Sequence, residues 1–276
     1  VRVRSSLLRE EVERVAREAA KNLREMRGKS GLDEVLGYHE GDPSRRVDRL
    51  SEDYILDSLR NLGYDFLVVT EESGTIGRKE HEMIALVDPL DGSTNFVSGI
   101  PWSSVSIAVY RSDDFLQSTA GAVVSVNELE SYSYDESGVY HNSERLGEVK
   151  GRNANVILSY FDETSVSLFS SVYQQFKGHK VRSLGCASMD MIITCLGRVR
   201  AMIELRGRLR NVDIAASSSF CVKLGKIPFD IKGRPLSAEL TKVDTFRYGV
   251  ITAFDEETEA KLRKILSEIE MNLGES

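Results

Sequence analysis

A chain of 276 residues with 41% hydrophobic content can bury a sizeable core, as one large domain or two closely packed halves. Its net charge is −7 and its 36 Lys and Arg are scattered without a long basic block, which argues against a nucleic-acid partner and for a small ligand. No apolar run has the shape of a signal peptide or the roughly 18 residues of a membrane span, so the chain reads as soluble and cytoplasmic, with no membrane partner.

The first helix is legible in Val12, Val15, Ala19, Leu23 and Met26, an apolar stripe in steps of three and four that ends at Gly28. Residues 28–46 read as a polar loop leading to a second helix over roughly 44–62, with Pro43 near its start and Asp48 in its first turns. Strands then dominate. DFLVVTEE, MIALVDPL, SVSIAVYR and AGAVVSV are rich in β-branched residues, and SYSYDESGVY reads as strand and turn. The first two of these runs end in acids, which places Glu71, Glu72, Asp88 and Asp91 where strands leave a sheet.

The second half alternates strand-like NVILSYF, KVRSLG and AMIELR with helices near 164–177, 187–197 and 213–224. PFDIKGRPL contains a turn, RYGVITAF is a further strand, and an amphipathic helix over 256–271 closes the pattern. Such alternation predicts a layered α/β architecture, with any boundary near residue 150 dividing packed halves, 1–150 and 151–276. Cys186, Cys195 and Cys221 are odd in number and lack CxxC spacing, so they are expected to be reduced and buried, forming neither a disulfide framework nor a zinc site. His39, His81, His141 and His179 lie in polar surroundings and read as structural or exposed.

The stretch VDPLDGSTNF concentrates chemistry. One reading is a turn, since Pro89 presets a backbone angle, Asp-Gly favours a turn and hydroxyls support it. The other is electrostatic: Asp88 and Asp91 held together by a tight turn repel each other unless a cation intervenes, and an all-oxygen set selects a hard ion such as Mg²⁺. Backbone N–H groups at Gly92 and Ser93 could then face an anion. Asp213, taken alone, reads as a helix N-cap, and Glu71 as a solvated strand end.

Taken together, Glu71-Glu72, DPLDGSTNF and VDIAA fall in the order and spacing of a known family. The chain resembles the lithium-sensitive, Mg²⁺-dependent phosphatases that include inositol monophosphatases and archaeal-type fructose-1,6-bisphosphatases, over most of its length. Val212 departs from the Trp usual before the second-motif aspartate. The resemblance implies a layered αβαβα sugar-phosphatase fold with mixed sheets, its N-terminal half carrying the metal motifs and its C-terminal half completing the site with Asp213. It also implies a homodimer and two to three Mg²⁺ per site, with Mn²⁺ as a substitute. Glu71, Asp88 and the Leu90 carbonyl would hold one ion, Asp88, Asp91 and Asp213 a second, and Glu71 with water a weaker third. Glu71, Ser93 and Asp48 are the catalytic candidates, Ser93 orienting the attacking water and Asp48 accepting its proton. Gly92, Ser93, Thr94, Gly185, Cys186 and Ala187 would line the substrate pocket.

ELRGRLRNVD bears on the substrate. The family usually places a sugar-contacting Glu seven residues before the second-motif Asp, and here that place is Arg206, followed by Arg208 and Arg210. The three could bind a second, non-reacting phosphate, or form a solvated basic turn. The expected activity is hydrolysis of sugar phosphates, inositol 1-phosphate and fructose 1,6-bisphosphate first. The rivals are a 3′-phosphoadenosine 5′-phosphate nucleotidase and a catalytically silent phospholigand-binding relative.

Overall fold

A computed structural model describes residues 5–39, 42–152 and 155–274. Helix α1 (Ser5–Met26) buries Leu8, Val12, Val15, Ala19 and Leu23, the face its apolar spacing dictates. An antiparallel hairpin of β1 (Val35–His39) and β2 (Asp42–Arg45) follows, then helix α2 (Arg46–Arg60). The hairpin stands where a plain loop is expected, because Gly37 and Pro43 give its short strands the composition of a turn.

The main sheet takes β3 (Phe66–Thr70), β4 (Gly74–Ile76) and β5 (Met83–Asp91), and, after the short helix α3 (Ser93–Val97), β6 (Ser104–Tyr110) and β7 (Ala120–Ser125). Strands β8 (Ser131–Asp135), β9 (Gly138–His141) and β10 (Glu144–Arg145) complete it. Its order is β10-β9-β8-β7-β6-β5-β3-β4. Only β3 and β5 run parallel; the other neighbours are antiparallel. Side-chain alternation assigns the faces. On β5, Met83, Ala85 and Val87 share a core with α1 and α2, while Ile84 and Leu86 point to the opposite side.

Beyond residue 155 come β11 (Val156–Tyr160), α4 (Val166–Gln174), β12 (Lys180–Arg182), α5 (Ala187–Cys195) and β13 (Ala201–Glu204). Helix α6 (Asn211–Lys223), β14 (Val250–Ala253) and helix α7 (Glu256–Gly274) follow. The smaller sheet is ordered β12-β11-β13-β14 and is mixed, with β13 and β14 antiparallel. Helices α5 and α6 lie between the sheets: Ile192, Ala216 and Phe220 share one core with Leu86 and Tyr110 of the large sheet and Met202 of the small one. Val172 of α4 and Leu262 of α7 cover the outer face of the small sheet with Ile157 and Ile203. The layers are therefore helix, sheet, helix, sheet, helix, as expected. Among the described residues no helix is long and apolar enough to cross a membrane.

The cysteines require a correction. Cys195 at the end of α5 and Cys221 in α6 form a disulfide, with Cα atoms 5.4 Å apart, and only Cys186 remains a free, buried thiol. An odd count and spacing along the chain carry no information about which helices the fold lays side by side, and α5 packs on α6.

Candidate active site

Because β3 and β5 are parallel neighbours, their C-terminal ends reach the same edge of the sheet, and Glu71 comes beside Asp88. The end of β5 is irregular. Asp88 pairs with Ser106 and Asp91 with Ser104, so β5 carries one residue more than β6 over this stretch. Pro89, which has no N–H to leave unpaired, sits inside this bulge. Ser51 Oγ of α2 donates to the Pro89 carbonyl at 2.7 Å, and the Leu90 N–H donates to Asp88 Oδ1 at 3.0 Å. The DPLD stretch is thus fixed from two sides.

Gly92 and Gly185 are required where they stand. Gly92 has φ +81°, and a Cβ on it would stand 2.9 Å from the Trp102 carbonyl oxygen. Gly185 has φ +84°, and its Cβ would meet Asn95 Nδ2 at 2.9 Å. Asn95 donates to the carbonyls of Trp102 (2.8 Å) and Leu184 (2.7 Å), tying the 92–95 turn to the loop before α5.

Two further acids enter from helix starts. Asp48 and Asp213 occupy the third position of α2 and α6, where each accepts the N–H of the preceding cap residue, Arg45 at 2.9 Å and Arg210 at 2.8 Å. Asp213 therefore closes its helix from within the first turn; the cap position belongs to Arg210. Ligand oxygens of Glu71, Asp88 and Asp213 lie within 4.8 Å of one another. Arg210 Nη2 is 2.6 Å from Glu71 Oε1 and 3.0 Å from Asp213 Oδ1. Asp91 faces the start of α5 and accepts from Ser188 N (2.7 Å), Ser188 Oγ (2.6 Å), Ala187 N (3.2 Å) and the Cys186 thiol (3.2 Å).

Burial, then mutual repulsion, pushes the carboxyl of Asp88 well above the usual range. Glu71 is raised by burial against the pull of Arg210, and Asp91 by burial against its Ser188 hydrogen bonds. Asp48 is lifted to about 7, by burial above all.

These groups surround a cavity of about 220 Å³. Of the catalytic, metal-ligand and substrate-binding candidates named from the sequence, all line it except Asp48, Cys186 and Arg208. Asp48 lies behind the wall, where Arg45 links it to Ser93: the backbone N–H of Arg45 donates to Asp48 and its Nη1 to Ser93 Oγ at 3.3 Å. Cys186 is likewise behind, against Asp91. Arg208 points to Asp162 at 2.9 Å, and Arg206 pairs with Glu204 at 3.0 Å while lying 4.9 Å from the Tyr160 ring centre. None of the arginines is a free basic turn. His81, His141 and His179 lie outside the cavity, and the His39 side chain is outside the described residues.

Several contributors escape a reading by motif. Arg45 and Tyr160 line the cavity, the Tyr160 hydroxyl accepting the Gly185 N–H at 3.0 Å and donating to buried Asp190 at 2.6 Å. Trp102 Nε1 donates to the same carboxylate at 2.8 Å. Glu52, fully buried, accepts from Thr70 Oγ1 (2.8 Å), Glu72 N (3.0 Å) and Ser73, which fixes the turn carrying Glu71. Its spacing of four from Asp48 on one helix face was the available signal.

The donor set fits a hard divalent cation: all oxygen, crowded, and with Asp213 Oδ1 buried and lacking a well-formed hydrogen bond.

Comparison with known proteins bears on the same chemistry. The model of the inositol monophosphatase family matches residues 5–270. An inositol-1-monophosphatase of Aeropyrum pernix is 34% identical over 258 residues, covering 90% of this chain and 93% of its own. A fructose-1,6-bisphosphatase/inositol-1-monophosphatase of Methanocaldococcus jannaschii is 28% identical, covering 88% and 93%. A solved inositol monophosphatase-fructose 1,6-bisphosphatase superposes with a TM-score of 0.78 at 26% identity, covering 93% of this chain and 98% of its own.

Proposed function

The chain belongs to the inositol monophosphatase family and is a phosphoric monoester hydrolase; on that premise we propose that it hydrolyses inositol 1-phosphate and fructose 1,6-bisphosphate with the help of Mg²⁺. The observation that carries the proposal is the convergence of Glu71, Asp88 and Asp213 on one small cavity. Glu71, Asp88 and the Leu90 carbonyl would hold one ion, Asp88, Asp91 and Asp213 a second, and Glu71 with water a weaker third. Mn²⁺ could take the same places. Bound there, such ions supply a lowered pKa for water and positive charge for phosphoryl oxygens.

The chain's own groups do the rest. Asp48, raised to about 7 by burial, is suited to receive a proton near neutral pH, with Ser93 Oγ orienting the water that gives it up. Gly92, Ser93 and Thr94 border the cavity, and their backbone N–H groups would meet phosphoryl oxygens bound there. Gly185, Cys186 and Ala187 form the facing wall, Cys186 by holding Asp91 in place of lining the cavity itself. Arg206, stacked on Tyr160, is the arginine best placed for a distal phosphate; Arg208 is engaged farther out with Asp162, and Arg210 is engaged with the acids. Residues 1–150 supply all ligands but Asp213, which 151–276 contribute. A homodimer, from family tendency, and a cytoplasmic setting complete the reading.

The test is phosphate release from inositol 1-phosphate, fructose 1,6-bisphosphate and 3′-phosphoadenosine 5′-phosphate, with Mg²⁺ and with chelator. Release from the sugar phosphates that vanishes on chelation is expected. No release from any of the three would leave the chain a binding relative.

A further inference from the structure

Arg210 stands inside the acid cluster. Its side chain is 11% exposed, with Nη2 2.6 Å from Glu71 Oε1 and 3.0 Å from Asp213 Oδ1, and with Nε 3.4 Å from Asp213 Oδ2. Those two residues, with Asp88, are the ones whose oxygens come within 4.8 Å. A guanidinium is always charged and offers no lone pair, so it can neutralise these carboxylates but never join them in binding an ion. While it is there it engages oxygens on two of the three residues.

We propose that Arg210 is a built-in counter-ion of the cluster, neutralising Glu71 and Asp213 while divalent cations are absent and releasing these two carboxylates when the ions bind. This rests on the reading of Glu71, Asp88 and Asp213 as metal ligands. Two features make the exchange feasible. Arg210 is anchored to helix α6 through its backbone N–H, 2.8 Å from Asp213 Oδ2, so its side chain can leave without unwinding the helix start. It also borders the open cavity next to Leu209 and Arg206, which gives the displaced guanidinium somewhere to go. There it would meet a phosphate, so that ion binding and engagement of substrate by Arg210 are one event.

The experiment uses Mn²⁺ alone, without substrate, titrated calorimetrically into the full chain, Arg210→Gln and Asp88→Asn. Arg210→Gln is expected to bind its tightest ion at least tenfold more strongly than the unaltered chain, and to melt at a lower temperature when metal-free. Asp88→Asn is expected to bind more weakly. If Asp88→Asn binds as the unaltered chain does, the metal reading itself is lost. If Asp88→Asn weakens binding while Arg210→Gln leaves it unchanged or weaker, the arginine supports the ligands and the counter-ion proposal is overturned. Should Arg210→Gln not fold, Arg210→Lys serves: its compact ammonium cannot span both carboxylates, so tighter binding supports exchange, and unchanged or weaker binding refutes it.

Discussion

Asp48 and Ser93 come from different elements and meet the same residue, Arg45, which donates its backbone N–H to one and its guanidinium to the other. They should act as a unit on the attacking water. Asp48→Asn and Ser93→Ala are each expected to lower kcat, with the double variant little worse than the poorer single one; fully additive losses would separate their roles. Since burial lifts Asp48 to about 7 and the base must be ionised, kcat/KM should rise as pH passes through about 7 and level off above it. That limb should be missing in whatever activity Asp48→Asn retains. The four carboxylates Glu71, Asp88, Asp91 and Asp213 were picked out because short motifs name them, whereas Arg45, Tyr160 and Asp190 are named by none of those motifs. Nothing in RSLGCASMDM announces that its one Asp, Asp190, is fully buried between Trp102 and Tyr160.

That aspartate joins α5 to β11 and to the turn before β6, and its energetics belong to the elements it joins. Burial, opposed by hydrogen bonds from Tyr160 and Trp102, lifts Asp190 to about 7 from an ordinary 3.8. Between those two values the folded chain keeps a proton that the unfolded chain has lost. Stability from this group is therefore complete below about pH 4 and declines as pH rises to about 7, by up to about 1.4 kcal/mol per unit. Asp190→Asn should flatten this slope in urea unfolding between about pH 4 and 7; curves that run parallel to those of the unaltered chain would remove the assignment. At the same scale, the Cys195–Cys221 bond closes a 26-residue separation between α5 and α6. Its reduction, or Cys195→Ser, should cost roughly 3–4 kcal/mol and lower Tm by about 10 °C. The apolar period of α1 and the unbroken apolar run of β5 were readable from sequence. The β1–β2 hairpin and β4 were not, since strands of three to five residues containing glycine or proline have no alternation to detect.

Across the whole molecule, the cation site proposed at Glu71, Asp88 and Asp213 is assembled only in the folded state, so its ion should bind the folded chain and not the unfolded one. Mg²⁺ at about a hundred times its dissociation constant should add about 2.7 kcal/mol to stability, seen as a rise in Tm that chelator reverses. A Tm indifferent to Mg²⁺ would count against a metal site in this cavity. The order of layers could be expected only through family resemblance, because strand pairing such as β3 beside β5 is not written in the local pattern of either strand.

The same covalent ring encloses β13, the loop of Arg206 and Arg208, and Asp213. A trypsin cut after Arg208, whose side chain is 57% exposed, would leave Glu71, Asp88 and Asp91 on one fragment and Asp213 on the other, yet the two would remain a single covalent species. On a denaturing gel such nicked chains should run near full length without reductant and as two bands with it. Before reduction, the halves of the site could stay together after the backbone between them is severed.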